Sequence, residues 1–178
     1  MVDLTGGGSY NLKLGGDSAN PSKEEEPMAI LSFDGRVNIA VRIVTEQYAQ
    51  AKLYEADGTA SGGPTTDPAK IDRMRVVFQN PNNTTVIIKE IKYGEFGKPE
   101  LINHPWLGDI VIQWPIKMDL PEANTLKEKA GYKDPYTAVT LRNPLGPKRT
   151  NPFFIFNTPT QGRYIFVDVV TGEVHAGG

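Results

Sequence analysis

The chain has no cysteine. That excludes disulfide staples, thiolate nucleophiles and thiolate metal sites together, and it says nothing of compartment, because many secreted bacterial proteins also do without cysteine. An excess of either charge is missing as well. Nineteen Lys and Arg stand against 21 Asp and Glu, a formal net charge of −2, so no broad field draws the chain to nucleic acid or to an anionic membrane. No apolar run approaches the roughly 20 residues that cross a bilayer, so no membrane span is expected. The start, Met1-Val2-Asp3-Leu4-Thr5-Gly6-Gly7-Gly8, has neither the basic opening nor the apolar stretch of a signal peptide. Histidine is scarce. His104 and His175 have no ligand-spaced neighbours, so no metal site and no cofactor are expected. The serines sit in no nucleophile elbow, and no catalytic residue is assigned.

What is present describes a globular chain with many turns. Its 178 residues suffice for one sizeable core or for two small subdomains sharing one. Eighteen glycines and 14 prolines favour short strands over long helices. Residues 1–27 are rich in breakers and charge, including Glu24-Glu25-Glu26, and are expected to form a flexible leader; within them 9–14 has the pattern of an edge strand. Met28 to Phe33 is a short apolar segment. From Val37 the period changes: Val37, Ala40, Val41, Val44, Tyr48 and Ala51 follow helical spacing, which predicts a helix over 36–52. A short strand or turn at 53–58 and a flexible connection at 59–68 follow. Strands are expected at 73–79, 84–93 and 109–114, with Asn80-Pro81-Asn82-Asn83 as a turn.

The second helix carries the cleanest local signal. Asp119 is placed to accept from free amides, Pro121 fits the first turn, and Glu122 stands in capping-box position. Leu120, Ala123, Leu126 and Ala130 form the expected inner face, and Gly131 is placed to end the helix. Strands are expected at 136–142, 153–157 and 163–169, then a turn at Thr171-Gly172 and a short returning strand from Glu173. In the last long strand Tyr164 and Phe166 fall on one face, and Ile165, Val167 and Val169 on the other. Asp168 is expected to bond amides of the Thr171-Gly172 turn.

These elements make an α+β protein: two helices packed on antiparallel sheet, arranged as two similar helix-plus-strands subdomains, 28–115 and 116–178, behind the leader 1–27. Four residues are candidates for contact with a ligand or partner. Trp106 and His104 share one loop, and Trp114 closes the neighbouring strand. Exposed, the two tryptophans would mark a binding face; buried, they would be core anchors. Arg163 joins Arg142, Lys148 and Arg149 in a local basic cluster near Phe153 and Phe154, with too little positive charge for a nucleic-acid surface. The overlapping sequons at Asn82 and Asn83 have meaning only in a host that glycosylates.

The helix at 119–130, the strands at 137–142 and 153–156, and the ending Tyr164-Ile165-Phe166-Val167-Asp168-Val169-Val170-Thr171-Gly172-Glu173-Val174 together resemble a PepSY domain, the small module of thermolysin-type protease propeptides and many bacterial envelope proteins. The first half has a matching helix but lacks the Asp-x-x-Thr-Gly close. The resemblance implies a helix lying across one face of an antiparallel sheet. It also implies a non-enzymatic module that contacts or restrains a protein partner, often a peptidase. Secretion or a cell-envelope location follows if that holds and a signal has been removed; otherwise the cytoplasm. Two alternatives stay open: a carbohydrate- or small-ligand-binding domain using the loop aromatics, and a hydrolase with a carboxylate pair assembled only by folding. The partner's identity and the oligomeric state are not written in the sequence.

Overall fold

The computed structural model describes residues 31–147, 151–160 and 162–177. The leader at 1–27, the edge strand at 9–14, Met28 and the Lys148-Arg149 pair lie outside them. Helix α1 is Phe33–Gln47. Ser32 starts it by accepting the Gly35 amide on Oγ at 3.0 Å, and Phe33, Val37, Ala40 and Val44 form the buried stripe that its spacing requires. It begins and ends earlier than the expected 36–52. Phe33 belongs to the helix because Ser32 supplies the cap, and the chain turns at Tyr48 to enter a strand.

That strand, β1 (Lys52–Thr59), is more than the short strand or turn expected. It pairs along its length with β2 (Arg73–Gln79), which pairs with β3 (Thr85–Lys92). The short strands β4 (Glu95–Phe96) and β5 (Glu100–Ile102) both lie against β3. Of the strand expected at 109–114 only Asp109–Ile110, β6, is regular. Ile112 then donates its amide to the Leu53 carbonyl at 2.9 Å, so the chain threads past the start of β1. Helix α2 (Leu120–Lys129) follows, then β7 (Ala138–Pro144), β8 (Phe153–Asn157), β9 (Tyr164–Asp168) and β10 (Val174–Gly177).

Every strand pair is antiparallel, and the sheet order is β10-β9-β8-β7-β1-β2-β3-β4. The architecture is α+β, as expected, but mostly sheet. At its centre β1 pairs with β7, Asp57 opposite Thr140. Outward from that pair the strands run β2, β3 on one side and β8, β9 on the other. One buried cluster joins the inner face of the sheet to both helices. The Phe33 ring of α1 meets the Phe154 ring of β8 edge-on at 5.6 Å.

Helix α2 corrects the expected inner face. Leu120 and Ala123 are buried and Leu126 is partly so, whereas Ala130 is exposed and Lys127 is buried. The ammonium of Lys127 donates to the Tyr132 carbonyl at 2.7 Å and lies over the Tyr136 and Phe156 rings, which lets a lysine occupy an apolar position. Asp119 is the N-cap, accepting the Leu120 amide at 2.7 Å and the Asp34 amide of α1 at 3.3 Å, so one carboxylate ties the two helix starts together. Glu122 makes no hydrogen bond back to the cap. Gly131, at φ 95°, ends the helix as expected.

Candidate functional site

The strand period fixes what the outer face of the sheet displays. In β1 the residues that point away from the helices are Glu55 and Asp57, in β2 Arg75 and Val77, in β7 Thr140 and Arg142, in β8 Phe153 and Ile155, and in β9 Phe166. Two different surfaces result, a charged one over the centre and first half and an aromatic one over the second.

On the charged surface, Arg75 spans both carboxylates of β1. Its Nε donates to Asp57 at 2.9 Å, and its Nη2 reaches Glu55 Oε1 at 3.1 Å. Thr140 Oγ1 donates to Asp57 Oδ1 at 2.8 Å from the neighbouring strand. Residues 103–110 cross this surface as a strap. Thr85 Oγ1 donates to the His104 carbonyl at 2.7 Å, the Trp106 amide donates to Gln79 Oε1 at 2.8 Å, and the Trp106 indole lies over the Arg75 guanidinium at 5.6 Å. Val77, between Arg75 and Gln79 on that face, is fully buried beneath the strap. Trp106 Nε1 donates to Asp109 Oδ2 at 2.7 Å, and Asp109 Oδ1 lies 2.7 Å from Arg142 Nε. The strap therefore carries a third carboxylate into the cluster.

Three carboxyl groups facing two guanidiniums leave one negative charge unpaired unless a proton is held. Burial, reinforced by hydrogen bonding to Asp109 and Asp57 and by their charge, pushes the Glu55 carboxyl up to about 9. An acid and its conjugate base side by side are the components of proton-transfer chemistry. Glu55 and Asp109 are, however, only 6% and 7% exposed, and each is paired with an arginine.

The aromatic surface has no such strap over it among the described residues. Phe153 and Phe166 meet edge-on at 6.0 Å, and His175 of β10 stacks flat on Phe166 at 4.9 Å. Ile155 lies directly opposite Phe166 in the register. All four are half-buried or exposed. Asp168, at the end of β9, has the role expected of it in kind. Its Oδ1 accepts the Val170 and Thr171 amides at 2.8 Å each, and Asn151 also donates to it.

The four candidates from the sequence do not converge. Trp106 sits on the charged surface, and His104 is in the same strap, where its ring faces its own loop at Pro105. Trp114 is on the helix side, packed against the core, with its indole N–H donating to Asn38 of α1 at 2.7 Å. Arg163 is at a turn, 3.4 Å from Asp134 and over the Tyr132 ring. Arg142 is committed to Asp109 and to the Gly108 carbonyl. Residue-by-residue reasoning missed Glu55, Asp57 and Arg75. Their signal was present: acids two apart in one strand and Arg73 and Arg75 two apart in the next, a complementary pair at strand period. Comparison with protein-family models, with curated proteins and with solved structures finds no match for this chain.

Proposed function

We propose that this protein is a non-enzymatic binding module that contacts a protein partner through the uncovered, aromatic half of its sheet. The observation that carries this reading is the group Phe153, Ile155, Phe166 and His175, aligned on one face with no element of the described chain above it. Aromatic side chains held rigidly by neighbouring strands bury large area at small entropic cost, which suits a contact surface. The loop aromatics support a carbohydrate site less well, because Trp106 and Trp114 both spend their indole N–H within the fold and lie on opposite sides of the sheet.

The finer reading makes the two halves copies of one helix-plus-strands unit, PepSY-like in the second half. Two features support it. The strands mirror each other outward from the β1–β7 pair, and Val37, Ala40 and Val44 of α1 repeat the spacing of Leu120, Ala123 and Lys127 of α2. On that reading the partner is a peptidase held or restrained by the module.

A photo-crosslinking amino acid tests the face. Placed at Ile155 it is expected to give a discrete adduct in the native cell extract, and placed at the helix-side position Glu122 it is expected to give none. Equal labelling at both positions would count against a specific face. Multiple turnover of pooled peptide or glycan substrates by the pure protein, lost on Glu55→Gln, would replace the binding reading with an enzymatic one.

A further inference from the structure

At one end of β7, β8 and β9 the segment 111–117 bounds a half-open cavity of about 490 Å³, closed on its other sides by Asn143, Asn151 and the turn at 169–170. The wall is mainly apolar, formed by Val111, Pro115, Ile116, Pro152 and Val170. Bonds within the fold hold both sides of it. Ile112 donates its amide to the Leu53 carbonyl, Val169 donates its own to the Pro152 carbonyl at 3.0 Å, and Asp168 accepts the Val170 amide at 2.8 Å. The cavity is therefore shaped before anything enters it, and its volume suits a small organic molecule. Lys117 is the one ionisable group in the wall among the described residues, and its side chain has no ion pair, hydrogen bond or ring contact there. A smaller recess of about 300 Å³ adjoins the cavity, shares Lys117 and Val170 with it, and has Glu122 in its own wall.

We propose that this cavity binds a small organic monocarboxylate with an apolar body, its carboxylate on Lys117 and its body against Val111, Ile116 and Val170. An uncommitted ammonium at the edge of an apolar hollow is complementary to one negative charge on an otherwise apolar molecule. Gln113 in the same wall adds an amide donor. Glu122 sets the direction, because it repels an anion from the smaller recess and so keeps the carboxylate at Lys117 with the body in the larger cavity. Other common ligands fit less well. A phosphate group, with close to two charges, meets a single cation, and a sugar finds no aromatic ring to stack on among the described wall residues. The aromatic outer face of the sheet contributes no residue to this site.

The experiment titrates the full chain with phenylpropanoate and with naphthylacetate, each beside its uncharged primary amide, and follows the backbone amides by NMR. Saturable shifts are expected at Val111, Ile116, Lys117 and Val170. Each acid is expected to bind at least about threefold tighter than its amide, the size of one partly exposed charge contact. Lys117→Met is expected to remove that preference and Lys117→Arg to keep it. Added salt is expected to weaken the acids and leave the amides unchanged, a readout on the unaltered chain that holds even if a variant fails to fold. No saturable shift with either acid, shifts centred on Phe153 and Ile155 instead, equal affinity of acid and amide, or a preference that survives Lys117→Met in a folded chain would each overturn the proposal.

Discussion

Single residues set the energetics of this fold where charge is buried. Arg36 is 1% exposed, yet it donates from Nε and Nη2 to Glu90 at 2.7 and 2.5 Å and from Nη1 to the Ile71 carbonyl at 2.6 Å. With Gly94 donating its amide to Glu90, little hydrogen-bonding capacity on either side is wasted. Glu90→Ala leaves a guanidinium buried without its counter-charge, and a loss of about 3–5 kcal/mol in urea unfolding is expected. Two carboxyls behave oppositely to such a pair. Asp34, where burial and the adjacent Asp119 act together, is pushed from 3.8 to about 8, and Glu55 from 4.5 to about 9. Each holds a proton in the folded chain over a range where the unfolded chain has lost it. Their contribution is therefore complete at low pH and falls away as pH rises from the ordinary carboxylate range to about 8 for Asp34 and about 9 for Glu55. The urea midpoint is expected to fall between pH 5 and pH 10, and Asp34→Asn with Glu55→Gln to flatten that slope. An unchanged slope in the double variant would show that these two groups are not its source.

Elements were legible in the sequence in proportion to how local their causes are. Helix α2 was found because its cap, its first-turn proline and its closing glycine are all written within it. Asp119→Ala is expected to cost about 1 kcal/mol, checked by thermal or urea melting. The inward turn of Lys127 was not legible, since it depends on Tyr136 and Phe156 arriving from other strands. Strand β1 is the larger case. Glu55, Asp57 and Gly58 are poor strand formers by propensity, which is why 53–58 read as a strand or a turn. Their tertiary partners decide otherwise. Arg75 donates to both acids, and Gly58 lies so close under α1 that a β-carbon there would run into Ile71 Cγ2 and the Phe33 ring. Gly58→Ala is accordingly expected to destabilise by about 1–3 kcal/mol through overpacking, although alanine is the better strand former. A neutral or stabilising result would mean that α1 can shift outward at no cost. The binding candidates follow the same logic: Trp106 reached a surface with partners, while Trp114 and Arg163 were recruited into local packing that no short window of sequence specifies.

At the scale of the whole molecule, the decisive pairing is the one between β1 and β7. It joins segments on either side of the long connection through α2, so neither periodicity nor turn chemistry announces it. Both helices and the longer strands stand in the expected order, but which strand of the first part of the chain meets which strand of the second was settled by shared burial. Ala56 lies opposite Leu141 in the register, Phe33 of α1 packs on Phe154, and Asp119 accepts the Asp34 amide. Cutting the chain at 115 would expose the inner sides of all three contacts and leave β7 as an edge strand with an unpaired row of backbone groups. A fragment of 63 residues, 116–178, also sits in the size range where one core is marginal without staples, and the chain has no cysteine to supply them. The fragments 28–115 and 116–178 are therefore expected to lack cooperative melting when purified apart and to regain it when co-expressed. The observable is dispersion in amide NMR spectra, poor for either fragment alone and native-like for the pair. If 116–178 alone gives sharp, dispersed resonances and a cooperative melt, the second half is a self-sufficient module, and its contacts with α1 and β1 are a docking of two finished units instead of the completion of one core.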